Sequence, residues 1–347
     1  MRTIYLLICV LLTSAAAAEP MKFRFLSTGG NACCSYIQAT GEITEDTPQA
    51  FEDFLRAEKP PASSVRLNSR GGSLLGGLAL GEKFRKHGYG TDVGSTDASR
   101  DLAPGVCASA CAYAFLGGTE RSLEPNSKLG FHRFSVKSGL EQPTAKLFTG
   151  HDLDSAQRIT AALVFYTMKM GIDPRLVVLA SGSAPDEVRW LSQDEARDLR
   201  VVYKPHDYKG WRLEPYRNGA LAVAESNDGL HRIVAGCSRT VGPYVALIDL
   251  SPTGDTAWFA QCRNLTMDGR AHPVFGARVE PNRVQVFRTR QAAIMRFQLP
   301  TNNPPLSSAD FLTFGDYPRA CATNKYRASQ ENFVFAVRLA LRNCHQD

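Results

Sequence analysis

The chain changes its pattern of apolar and polar positions near residue 204. Before that point, short apolar runs end in small residues and give way to apolar positions three and four apart. Residues 23–27 and 34–43 read as strands. Thr47-Pro48 opens a helix, with an N-cap and a proline at its start, whose Phe51, Phe54 and Leu55 share a face. Residues 64–67 read as a short buried strand that ends at Gly71-Gly72. The helix after it sets Leu74, Leu78, Gly81 and Phe84 on one side, and Gly88 stops it. Residues 91–93 begin another strand, 95–104 form a polar insert, and strand, turn and helix recur through Ser109. A helix over 152–170 spaces Ile159, Leu163, Tyr166 and Met170 by four, three and four. Residues 175–180 make a shorter helix, and in the one over 192–199 Ser192 is the N-cap and Glu195 completes a capping box. Strand–helix alternation of this kind predicts an α/β fold with a parallel sheet and crossover helices.

Beyond Pro205 the helical spacing fades. Apolar runs at 220–224, 244–250 and 284–288 alternate with the turn residues Asn227-Asp228-Gly229, Pro252-Thr253-Gly254 and Pro281-Asn282. This predicts a smaller β-rich domain, closed by a helix over 330–341 with Phe333, Val337 and Leu341 on one face. The expected domains are therefore 19–204 and 205–347.

Residues 1–18 read as a secretory signal peptide: Arg2, an apolar core at 4–12 too short to span a bilayer, and Ala16-Ala17-Ala18 for cleavage. The expected product is periplasmic or secreted, with no membrane anchor after cleavage. Cysteine usage agrees. Cys9 leaves with the leader, and eight remain, an even number suited to disulfides in an oxidising compartment. Proximity along the chain pairs Cys237 with Cys262 and Cys321 with Cys344. Cys107 and Cys111, four apart across a helix start, are strained partners for each other. At least one of them is expected to bond Cys33 or Cys34. The formal charge of +6 is modest, and no basic block with interleaved aromatics points to nucleic acid. The seven histidines are scattered without ligand spacing, so no metal is expected. No phosphate-loop or dinucleotide motif implies a cofactor. Asn264-Leu265-Thr266 matches a glycosylation sequon, which chance explains equally well.

Candidate chemistry lies in two runs, RLNSRGGSLLGG from Arg66 and PGVCASACAYAFLGG from Pro104, the latter leading on to KLGFHRF from Lys128. Each turns on small residues into a helix, whose N-terminal amides suit a developing oxyanion. Asn68-Ser69-Arg70-Gly71-Gly72, Ala108-Ser109-Ala110, His132 in LGFH and Trp190-Leu191-Ser192-Gln193-Asp194-Glu195-Ala196 together resemble the Clp peptidase/crotonase superfamily, in its Clp-like serine peptidase branch. The resemblance spans roughly residues 23–204. It implies stacked βαβ units, Ser109 as nucleophile, His132 as general base, and an oxyanion hole from the N–H groups of Gly72 and Ala110. It also implies peptide or unfolded-polypeptide substrates and admits a homo-oligomer built through the helical region after the histidine strand. Arg70 replaces the branch's proline, and Val188 stands where the branch has aspartate. Asp186 or Glu187 is then the candidate orienter of His132; failing both, a dyad remains with water or a backbone carbonyl in that role. Lys128 is a less favoured base. A crotonase-type acyl-CoA reaction fits the same turns but not an exported protein. Two readings follow: a serine hydrolase, most simply a peptidase, or an inactive binding or scaffold protein that keeps the fold.

Overall fold

The computed structural model describes residues 19–27, 35–96, 102–134, 149–184, 186–251, 259–260, 272–306 and 328–345. The expected leader, the Asn264 sequon and Cys33, Cys34, Cys262 and Cys321 lie outside them. The chain divides into two compact units, Met1–Tyr203 and Lys204–Asp347. Among the described residues no helix is long and apolar enough to cross a membrane.

The first unit is mixed α/β. Its strands are β1 (Lys22–Ser27), β2 (Ser35–Thr40), β3 (Ser64–Asn68), β4 (Gly90–Val93), β5 (Ser95–Thr96), β6 (Leu102–Ala103), β7 (Val106–Ala108), β8 (Arg121–Leu123), β9 (Lys128–Phe131) and β10 (Arg189–Trp190). Its helices are α1 (Thr47–Glu58), α2 (Leu74–Lys86), α3 (Ala110–Phe115), α4 (Gly150–Lys169), α5 (Arg175–Gly182) and α6 (Gln193–Asp198). A five-stranded sheet runs β1-β2-β3-β4-β8. β2, β3, β4 and β8 are parallel, and β1 is an antiparallel edge. α1 and α2 are the crossovers that parallel neighbours require. A second sheet, β10-β9-β7, pairs β7 with β9 in parallel and β10 with β9 antiparallel.

Phe51, Phe84, Phe115 and Phe131 are fully buried in the core of this unit. Two local expectations shift. The first helix begins at Thr47 after Asp46, and the Thr47 hydroxyl accepts the Thr44 amide instead of capping. In α2 the buried residues are Gly76, Gly77, Leu80, Gly81 and Phe84, while Leu74 and Leu78 are only half-buried. The reason is close packing on α3: a side chain on Gly77 would meet the Ala110 carbonyl oxygen at 2.4 Å. Bare backbone therefore brings α2 against the helix that Ser109 opens. The capping box at Ser192 and Glu195 forms as expected, with the Glu195 amide donating to the Ser192 hydroxyl at 3.2 Å.

The second unit is β-rich. Its strands are β11 (Arg212–Tyr216), β12 (Gly219–Glu225), β13 (His231–Ser238), β14 (Gly242–Asp249), β15 (His272–Val274), β16 (Ala277–Val279), β17 (Val284–Arg288) and β18 (Ala293–Gln298), followed by α7 (Phe333–Arg342). Six form one antiparallel sheet, β11-β12-β13-β14-β18-β17. Phe333, Val337 and Leu341 of α7 are buried with Trp211 and Phe275 in this unit's core.

Both described disulfides correct the sequence-based pairing. Cys237 bonds Cys344, 107 residues away, and neither Cys262 nor Cys321. Proximity in sequence misleads here because the chain after α7 runs back beside the end of β13. The His345 amide donates to the Cys237 carbonyl at 2.8 Å, and the Arg239 amide to the His345 carbonyl at 3.0 Å. Cys107 bonds Cys111 directly, with Cα atoms 5.2 Å apart, and so neither bonds Cys33 or Cys34. The expected strain would arise within a helix. Cys107 is on β7, however, and a sharp turn at Ser109 carries the chain back into α3.

Candidate active site

Two backbone turns converge where β3 and β7 end. The Ser69 amide donates to the Val106 carbonyl at 2.7 Å and the Ala108 amide to the Ser69 carbonyl at 3.1 Å. The Asn68 side-chain carbonyl accepts the Val106 amide at 3.0 Å. These three bonds lace the glycine turn to the strand that delivers Ser109. Asn68 and Ser69 thus have structural work that the motif alone did not reveal. Ser69 is buried, and its hydroxyl accepts the Gly71 N–H at 3.1 Å. That occupies the Gly71 amide, and the hydrogen bonds of the turn leave the exposed Gly72 N–H unused.

Glycine is required at both turn positions. Gly71 and Gly72 have φ of 110° and 134°, which side-chain-bearing residues rarely adopt. A methyl group on Gly71 would lie 2.8 Å from Ser109 Cβ and 3.1 Å from the Ala110 nitrogen. One on Gly72 would lie 2.1 Å from the Ile43 carbonyl oxygen. The first pair of distances also measures how closely the glycine turn approaches the candidate nucleophile.

Ser109 stands between β7 and α3 with φ 56° and ψ −125°. Such a conformation is costly for a non-glycine residue and is held by its surroundings. The Ser109 amide donates to the Gly130 carbonyl of β9 at 3.0 Å, and the Cys107–Cys111 bond closes around the turn. A serine at the start of a helix commonly caps it through its side chain. Ser109 makes no such bond, and its half-buried hydroxyl has no hydrogen-bond partner among the described residues. Ala110 is the first residue of α3, so its N–H has no acceptor within the helix.

His132 follows β9 directly. β7 and β9 are parallel with Ala108 opposite Gly130, so Ser109 and His132 leave the same ends of neighbouring strands. The ring is half-buried, and Nδ1 lies 2.8 Å from the Arg133 carbonyl oxygen. A carbonyl only accepts, so Nδ1 is the donor here, and in a neutral ring this leaves Nε2 as the acceptor that a general base needs. No hydrogen bond joins Ser109 Oγ to the ring in this conformation, a looseness common before substrate is bound.

The third position is apolar. β10 pairs Arg189 with Phe131 and Trp190 with Gly130. The same register continued by one residue sets Val188 opposite His132. Asp186 and Glu187 are exposed, and no hydrogen bond or ion pair between either and His132 occurs among the described residues. Lys128 begins β9, at the end away from His132, with its ammonium 5.8 Å from the centre of the Trp190 ring. A cleft of about 990 Å³ borders the glycine turn. Lys22, Arg24, Gln38, Glu42, Arg70 and Gly72 contribute to its lining, whereas Ser109 and His132 do not.

No family model and no curated protein matches the chain. Solved structures resemble it over part of its length. A mutant of the 1510-N membrane-bound stomatin-specific protease is 15% identical, the match covering 46% of this chain and 73% of that one, with a TM-score of 0.33. A mutant ClpP1 from Listeria monocytogenes is 19% identical, covering 46% of this chain and 84% of its own, with a TM-score of 0.31.

Proposed function

We propose that this chain is an exported serine hydrolase, a peptidase of the Clp-like, crotonase-like fold, acting through a Ser109–His132 dyad. The observation that carries the reading is the Ser109 hydroxyl. It is held at a strained strand-to-helix turn, caps nothing, and adjoins a glycine turn and an unused helix-start amide. In the reaction His132 Nε2 accepts the Ser109 proton as Oγ attacks a peptide carbonyl, then returns it to the leaving amine. The N–H groups of Gly72 and Ala110 receive the developing oxyanion. The Arg133 carbonyl replaces a carboxylate as orienter, through Nδ1. It stabilises an imidazolium less than a charged partner does, so turnover is expected to be slow. Substrate is an extended or unfolded segment that reaches from the cleft beside β1, across the glycine turn, to Ser109 at its margin, and no cofactor takes part. Export to the periplasm or beyond is supported by the two disulfides. One specific observation favours a second reading, a non-catalytic binding protein: Val188 lies where an orienting carboxylate would serve.

Covalent labelling separates the two. A fluorophosphonate probe should label the mature protein on Ser109, and Ser109→Ala should abolish labelling. His132→Ala should slow it by a factor on the order of 10⁴. An unlabelled wild-type protein across pH 6 to about 9, where imidazole is increasingly neutral, would leave the binding-protein reading standing.

A further inference from the structure

The second unit brings His206 beside Asp228 and His231, which lie three residues apart at one turn. His206, Asp228 and His231 offer ligand atoms that all lie within 4.8 Å of one another. His206 Nδ1 is 3.4 Å from Asp228 Oδ2, and His231 Nδ1 is 3.7 Å from Asp228 Oδ1. The two imidazole rings meet edge to face at 5.3 Å. We propose that His206, Asp228 and His231 bind a divalent transition-metal ion of the zinc class, a site independent of the Ser109 centre.

The surroundings hold these groups in place. Asp228 lies in the turn between β12 and β13, and His231 is the first residue of β13. The segment carrying His206 is strapped over that turn by three hydrogen bonds. Asn227 donates from its backbone to the Asp207 carbonyl at 2.8 Å and from its side chain to the Lys204 carbonyl at 3.0 Å. The Asp228 amide donates to the Pro205 carbonyl at 3.1 Å. Within the turn, Asp228 Oδ1 accepts from the Ser226 hydroxyl at 2.5 Å and from the Leu230 amide at 2.9 Å. This fixes the carboxylate and leaves Oδ2 on the His206 side.

A further carboxylate stands behind His231. β13 pairs His231 with Asp249, and Asp249 Oδ1 is 4.0 Å from His231 Nε2. That separation is longer than a hydrogen bond; were it to close with Nδ1 on the ion, His231 would gain the carboxylate–imidazole–metal arrangement that sets tautomer and raises ligand basicity. His231 and Asp249 are both buried, whereas His206 is half-exposed and gives the ion a way in. Two imidazoles and one carboxylate suit Zn²⁺ and its neighbours, whereas Mg²⁺ and Ca²⁺ call for oxygen ligands throughout. A small inward movement of the three side chains would reach metal–ligand distances of about 2.0–2.2 Å. Water fills the fourth position.

The test uses tag-free full-length protein stripped with a chelator and titrated with Zn²⁺ alone. Wild type should take up zinc in the micromolar range or tighter and gain thermal stability. His206→Ala and Asp228→Asn should each weaken uptake at this site by roughly 100-fold or more, a larger loss than the 10–100-fold expected for an outer-shell partner. Co²⁺ should give the visible absorption of a four-coordinate site in wild type and lose it in both variants. Mg²⁺ in large excess should displace neither ion. His206 is half-exposed, so His206→Ala is expected to fold and decides the matter alone if Asp228→Asn does not. Absence of micromolar zinc uptake by wild type, or uptake unchanged in His206→Ala, overturns the proposal.

Discussion

Replacing Cys237 and Cys344 together by alanine should destabilise the second unit by about 5 kcal/mol, the chain-entropy value for a loop of this length. The bond spans 107 residues, most of the unit, so its loss frees a long segment of the unfolded chain. Domains of this size are commonly stable by only about 5–15 kcal/mol. The double variant should therefore unfold near or below physiological temperature. Denaturant titration followed by near-ultraviolet circular dichroism would measure it, and the second unit of the reduced wild-type protein should behave alike, while reduction also opens Cys107–Cys111 in the first. The Ser238–His345 bridge and the hydrogen bonds around it would fray with it, since they fasten the same terminal segment. An unchanged midpoint in the double variant would show that packing of α7 alone holds that end.

The other large effect is expected at Gly71. Gly71→Ala places a methyl group 2.8 Å from both Ser109 Cβ and the Ala108 carbonyl oxygen, at a φ of 110°. Neither neighbour can yield easily, because Ala108 is hydrogen-bonded to Ser69 and Ser109 to Gly130. The turn must shift, which costs about 1–3 kcal/mol of stability. The amides that would receive an oxyanion move with it. Labelling of Ser109 by a fluorophosphonate should fall by about 100-fold or more, as when an oxyanion donor is lost. The melting temperature should drop by only a few degrees. Wild-type labelling by Gly71→Ala would mean that the glycine turn does not bear on the serine.

Much of the architecture was legible because it rests on local rules. The capping box at Ser192, the turn at Asn227-Asp228-Gly229 and the buried stripe Phe333, Val337 and Leu341 each depend on residues within one or two helical turns. The approach of the glycine turn to Ala108-Ser109-Ala110 follows from the same kind of rule: β3 and β7 lie in different sheets, but a parallel bridge between Ser69 and Cys107 sets their strand-to-helix turns side by side. Other features depend on partners far along the chain. Arg121 is fully buried and donates to the carbonyls of Gly118, Arg200 and Val201. Burial pushes its pKa down to about 9. Nothing near Arg121 in sequence announces that role. The return of the chain after α7 to β13 decided the Cys237 pairing. His206 and His231 are brought together by a strap of backbone bonds and not by any ligand spacing. On α2, apolar periodicity pointed to leucines, whereas the tight approach to α3 selected the glycines beside them.

The Cys107–Cys111 bond makes a short covalent ring whose middle member is Ser109. Both sulfurs are shielded from solvent, so a reductant reaches them only when this part of the unit opens. Before oxidation, one less covalent restraint opposes the relaxation of a backbone that a serine ordinarily avoids. If Ser109 is the nucleophile proposed above, its readiness is thereby tied to redox history: the reduced chain would hold that residue more loosely than the oxidised one.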